Sequence, residues 1–102
     1  MYYIATYRDR PDAGEARQKF RPEHAAYRIS LGTRLLTAGP LLGPDGKTSI
    51  GSLLVFEASD QAAAEAFAGG DPLVREGALD LVSVIGFIPR AFNAPTLTPP
   101  GH

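Results

Sequence analysis

The chain has 102 residues, 44% of them hydrophobic and 21% charged, and a formal net charge of −1. That length is one domain with a small core, and its dispersed basic residues argue against a nucleic-acid or anionic-membrane surface, which needs a clustered patch. Cysteine is absent, which excludes thiol catalysis, disulfides and cysteine zinc sites together.

Residues 2–8 form the first predicted strand. Tyr3, Ala5 and Tyr7 fall on one face and Tyr2, Ile4 and Thr6 on the other. Both faces are apolar or aromatic, so the strand is expected at the centre of a sheet. The same N-terminus lacks the basic segment and long apolar core of a signal peptide. No apolar run approaches the ~20 residues that span a bilayer, and the expected location is the cytoplasm.

Asp9-Arg10-Pro11-Asp12 reads as a turn. Asp12 with Glu15 three residues later resembles a capping box. Ala16, Phe20, His24, Tyr27 and Leu31 then recur on one helical face, and Gly32 is a plausible stop. Pro22 interrupts this pattern. Either the helix kinks there, or a first helix ends and Pro22 opens a second. The second arrangement would put His24 in a first turn, where the helix dipole disfavours imidazolium.

Residues 34–41 form a second strand and 50–57 a third. Gly43-Pro44-Asp45-Gly46 between them is a strong turn signal, so the two are expected as a hairpin. Ser59 suits an N-cap, and the Ala-rich segment 61–68 a second helix ended by Gly69-Gly70. Residues 72–79 have room for one helical turn, with Asp71 before Pro72 in the position of an N-cap. Residues 80–88 form a fourth strand, apolar on both faces. Residues 93–102 carry Pro95, Pro99 and Pro100 and are expected to be extended and irregular.

The order β-α-β-β-α-β is the ferredoxin-like split unit. Right-handed crossovers put both helices on one face of a four-stranded antiparallel sheet. The helix-free face is then apolar, and a homodimer with two such faces apposed covers it economically. Residues 1–90 make the domain and 91–102 a Pro-rich tail.

His24 and the terminal His102 are the only histidines. His24 is therefore nearly the only internal side chain whose ordinary pKa suits acid–base chemistry near neutral pH. A lone histidine on a helix is more often a packing or surface residue, and an aspartate before proline is more often only a cap. The third strand, Ile50-Gly51-Ser52-Leu53-Leu54-Val55-Phe56-Glu57, lacks the aromatic and basic pattern with which some ferredoxin-like domains bind RNA. No metal-ligand cluster and no phosphate-binding glycine loop is evident. No cofactor is expected.

Arg21-x-x-His24, Arg34-Leu35-Leu36-Thr37-Ala38-Gly39-Pro40, Gly51-Ser52 and Asp71-Pro72-x-Val74-x-x-Gly77 occur in order over most of residues 1–90. Together they resemble the YciI-related (YCII) family of small dimeric α+β proteins. The resemblance implies a dimeric α/β barrel and a pocket holding a His–Asp pair, by position His24 and Asp71. It implies a role for Ser52 near the same pocket, and cofactor-free lyase, dehydrohalogenase or isomerase chemistry on small, often ring-derived molecules. The chain departs from the family pattern in a shorter 42–49 loop, in Gly86 where proline is common, and in the tail.

On that reading His24 removes a proton and Asp71 fixes its tautomer and stabilises the imidazolium. Arg21 holds a substrate carboxylate and Ser52 donates beside it. The competing reading is a dimeric module that binds a small ligand or assists a partner without catalysis. Hydrogen-bond contact between His24 and Asp71 inside a cavity favours the enzyme. A solvent-facing His24 favours the module.

Overall fold

The computed structural model describes residues 1–92, so the expectation for the tail at 93–102 lies outside the described residues. Four strands, β1 (Tyr2–Asp9), β2 (Leu35–Leu42), β3 (Ser49–Glu57) and β4 (Leu79–Phe87), alternate with α1 (Gly14–Ile29), α2 (Gln61–Gly69) and the single turn α3 (Pro72–Arg75). The sheet is antiparallel throughout with spatial order β2-β3-β1-β4. This is the α+β ferredoxin-like arrangement, with β1 central as its two apolar faces require.

Period-2 alternation sets the layers. Tyr3, Ala5 and Tyr7 pair with Phe56, Leu54 and Ser52 of β3, and this face carries the helices and the core. Ala5, Leu54 and Phe56 are completely buried there. Burying one large apolar side chain of this kind stabilises by roughly 1.5–3 kcal/mol. Gly51 is explained by a close approach: a Cβ on it would stand 2.0 Å from the Tyr7 carbonyl oxygen of the neighbouring strand. The opposite face presents Ile4, Ile85 and Phe87 in one row across β1 and β4, the last two exposed.

Local details correct several expectations. Helix α1 runs through Pro22 without a break, so His24 sits well inside it and not in a first turn. An interior proline loses one backbone hydrogen bond and crowds the carbonyl four residues before it, a cost of roughly 3 kcal/mol that the helix bears here. The capping box does not form: Ala13 is the N-cap, and Asp12 adopts φ +62°, a left-handed conformation that aspartate tolerates better than most residues. Helix α2 is capped by Asp60, whose side chain accepts from the Ala63 N–H at 2.8 Å, and not by Ser59. Among the described residues no helix is long and apolar enough to cross a membrane.

Candidate functional site

Helix α1 lies against α3 at the edge of the helical layer, and the junction brings residues 47 apart in sequence into contact. His24 Nδ1 lies 2.8 Å from each carboxylate oxygen of Asp71. A carboxylate only accepts, so Nδ1 carries the proton and donates to both oxygens. In the neutral ring the lone pair is then on Nε2.

Asp71 is 1% exposed and does several jobs at once. Its Oδ1 also accepts from the Leu73 N–H at 2.9 Å, which caps α3 above the Pro72 that opens it. Its Oδ2 lies 3.3 Å from Arg28 Nε. That contact is an ion pair without hydrogen-bond geometry, and Nε has no hydrogen-bond partner among the described residues. Cap and histidine partner are therefore one role for one carboxylate, not alternatives.

Arg28 is the residue the sequence reading missed. It is the one buried residue of α1. Its Nη2 donates to Ser52 Oγ at 3.1 Å, and its guanidinium lies 4.9 Å from the centre of the Tyr7 ring. A buried charge is tolerable only when paired and hydrogen-bonded, and here Asp71, Ser52 and the Tyr7 face supply the partners. The signal was present in spacing: Arg17, Arg21, His24 and Arg28 recur at 4, 3 and 4, a polar seam beside the apolar one.

This seam lines a cleft of about 590 Å³ between α1 and the β2–β3 end of the sheet. His24 and Arg28 line it together with Arg17 and Arg21, and Ser52 and Gly51 contribute from β3. Ala38, Gly39 and Pro40 of β2 form an apolar wall, and Leu73 and Leu79 another. Asp9 and Ser49 complete the rim, joined by a hydroxyl-to-carboxylate hydrogen bond of 2.9 Å. Of the four residues singled out from sequence, His24, Arg21 and Ser52 line this cleft, and the buried Asp71 stands behind His24. His24, Asp71 and Ser52 are tied together through Arg28, whereas Arg21 is exposed and makes no hydrogen bond or ion pair among the described residues.

Tyr7 lies beneath Arg28 and donates its hydroxyl to the Ala68 carbonyl at 3.2 Å. Burial pushes its phenol up to about 12, against a smaller opposite pull from Arg28. Tyr7 is thus a neutral donor at neutral pH. Among the described residues no group of three or more His, Cys, Asp or Glu could hold a metal ion.

Comparison with known proteins gives a consistent picture. The chain is 37% identical over 95 residues to Protein YciI of Escherichia coli O6:H1, covering 85% of this chain and 96% of that one. Protein YciI of Shigella flexneri matches to the same extent. Among solved structures it is similar to 5-chloro-2-hydroxyhydroquinone dehydrochlorinase (TftG) from Burkholderia phenoliruptrix AC1100, in complex with 2,5-dihydroxybenzoquinone. That match has a TM-score of 0.67 and 27% identity, and covers 83% of this chain and 89% of that one. The YCII-related domain profile matches residues 1–88, and with the relatives above this makes the chain a member of the YCII-related family.

Proposed function

We propose that this protein is a cofactor-independent acid–base enzyme of the lyase, dehydrohalogenase or isomerase type, acting on a small, ring-derived organic substrate. The observation that carries the reading is the 2.8 Å contact of His24 Nδ1 with the Asp71 carboxylate at a cleft of substrate size. Engagement of Nδ1 leaves Nε2 as the nitrogen available to a substrate. Nε2 takes a proton from a carbon or hydroxyl, and Asp71 stabilises the imidazolium that forms. A positioned base of this kind is worth roughly 10²–10⁴ in rate. In an elimination the released electron pair expels a halide from the adjacent carbon, and in an isomerisation His24 returns the proton elsewhere. The similarity to a dehydrochlorinase seen with a dihydroxybenzoquinone supports this substrate range.

We further propose that the protein works as a homodimer with the helix-free sheet faces apposed. Ile85, Val82 and Phe87 are exposed on β4, and pairing two such faces removes their apolar area from water.

The test is a panel of chlorinated hydroxyhydroquinones and enolisable cyclic ketones, followed by chloride release and by ultraviolet absorbance. The expected outcome is turnover of at least one by the wild type and a loss of about 10²-fold or more in His24→Ala. A substrate turned over equally well by His24→Ala contradicts the proposal.

A further inference from the structure

We infer that Tyr7 and Tyr27 are positioning residues: their hydroxyls hold two successive carbonyls at the end of α2 and so fix where Asp71 presents its carboxylate to His24. The inference rests on the reading of His24 as a base oriented by Asp71, and adds what holds Asp71 in place. The last carbonyls of a helix have no partner within it. At the end of α2 the Phe67 carbonyl accepts from the Tyr27 hydroxyl at 2.9 Å, and the Ala68 carbonyl from the Tyr7 hydroxyl at 3.2 Å. The residue four beyond Ala68 is Pro72, which has no N–H, so a longer helix could not satisfy that carbonyl.

Only Gly69 and Gly70 separate these anchors from Asp71. Two glycines make a permissive link, and the two hydrogen bonds just before it limit where it can deliver the carboxylate. The anchors come from different elements, Tyr7 from the central strand β1 and Tyr27 from α1. The end of α2 is thereby tied both to the sheet and to the helix that carries His24.

Tyr27 lies three residues beyond His24, so the two share a face of α1. That face grips the chain at two points, His24 on Asp71 and Tyr27 on Phe67 four residues earlier. The Tyr27 ring also stacks on that of Phe67, with centroids 4.4 Å apart and planes 17° apart. Gly70 is fitted to this grip. Its φ of −83° is open to any residue, so its backbone does not require glycine. A Cβ there would stand 2.5 Å from the Tyr27 hydroxyl oxygen. The glycine makes room for the hydroxyl. Burial raises both phenols, that of Tyr7 to about 12, so both keep the proton they donate.

The test reads exchange of the His24 Nδ1 proton with water, together with the ring tautomer, by ¹⁵N-edited NMR of the folded full chain. Tyr7→Phe and Tyr27→Phe keep the rings and lose only the hydroxyls, so the fold is expected to be retained, as circular dichroism checks. Asp60→Ala is the control. It removes the cap at the other end of α2, so it destabilises the same helix without touching the anchors. We expect exchange about fivefold faster in each tyrosine variant, faster still in the double variant, and within about twofold of wild type in Asp60→Ala. Gly70→Ala, which displaces the Tyr27 hydroxyl from the other side, should speed exchange by a similar factor. Exchange and tautomer in the double variant within about twofold of wild type, or an equal change in Asp60→Ala, overturns the positioning role and leaves the His24 proposal intact. A wild-type ring without a proton at Nδ1 overturns the base reading and the positioning role together.

Discussion

Arg28 and His24, one helical turn apart on α1, share a single buried carboxylate, Asp71. The helix delivers both to one point because residues four apart lie on one face. Asp71 meets them from the turn that opens α3. Imidazole, carboxylate and guanidinium are thus held by a helix and a capped turn.

This sharing changes what removal of the Asp71 charge does. If Asp71 were only a cap, Asp71→Asn would be nearly neutral, since asparagine caps about as well. Instead the substitution leaves Arg28 buried without a counter-ion. We expect a loss of about 3–5 kcal/mol of unfolding free energy. Asp71→Asn combined with Arg28→Met should cost less than the sum of the two single changes, by about 1 kcal/mol or more. Chemical denaturation of the four proteins measures this. Additive effects contradict the ion pair.

His24 is the opposite case. Its side chain is partly exposed and its removal leaves no buried charge unpaired except through Asp71, which keeps Arg28. His24→Ala should therefore lower the melting temperature by only a few degrees, of order 1 kcal/mol, while abolishing most turnover. A collapse of stability in His24→Ala would assign the histidine a mainly structural role.

Tyr7 gives a pH signature. Its folded pKa is raised to about 12 from an ordinary 10.0, chiefly by burial. Between these values the folded state holds the proton and the unfolded chain releases it. The stability tied to Tyr7 is therefore fully present below pH 10 and is lost as pH rises through about 12, by up to about 2–3 kcal/mol. Urea denaturation at pH 9 and pH 11.5 should show a steeper loss for wild type than for Tyr7→Phe. Equal slopes would mean that the phenol does not stay protonated in the fold.

Gly51 tests the placement of Ser52. A Cβ there would collide with the Tyr7 backbone carbonyl at 2.0 Å, and neither strand can yield without breaking the β1–β3 pairing. Gly51→Ala should cost several kcal/mol or leave the protein insoluble, whereas Gly39→Ala, with open space around its Cα, should be nearly silent. Thermal melts of the two variants check the contrast.

The proposed dimer is checked by sedimentation at micromolar concentration. The wild type should run at about twice its 10.8 kDa chain mass. Ile85→Glu, placing a charge at the centre of the apolar row, should give a folded monomer. A wild-type monomer contradicts the apposed faces.

The strand order was legible because period-2 alternation and the Gly43–Gly46 turn signal act locally and agree with each other. His24 and Asp71 were legible as a pair only through the family resemblance, since nothing local links residues 47 apart. Arg28 escaped because a charged residue on a helix is ordinarily solvated, and its burial depends on Asp71, Ser52 and Tyr7 arriving from three other elements. The continuous α1 escaped for a similar reason: Pro22 disfavours helix locally, while the packing of α1 on α3 and the sheet is tertiary. Asp60 in place of Ser59 is a one-residue shift of the kind that helix ends allow.

The proposed chemistry requires Asp71 to hold the His24 proton at Nδ1, with Nε2 free as the base. Long-range ¹⁵N–¹H correlation NMR of the imidazole at a pH where the ring is neutral reads this directly, with His24→Gln identifying the resonances. The expected result is a protonated Nδ1 and an Nε2 shift of the unprotonated type, lost in favour of a tautomer mixture in Asp71→Asn. A wild-type His24 protonated at Nε2, or one whose tautomer is indifferent to Asp71→Asn, would contradict it.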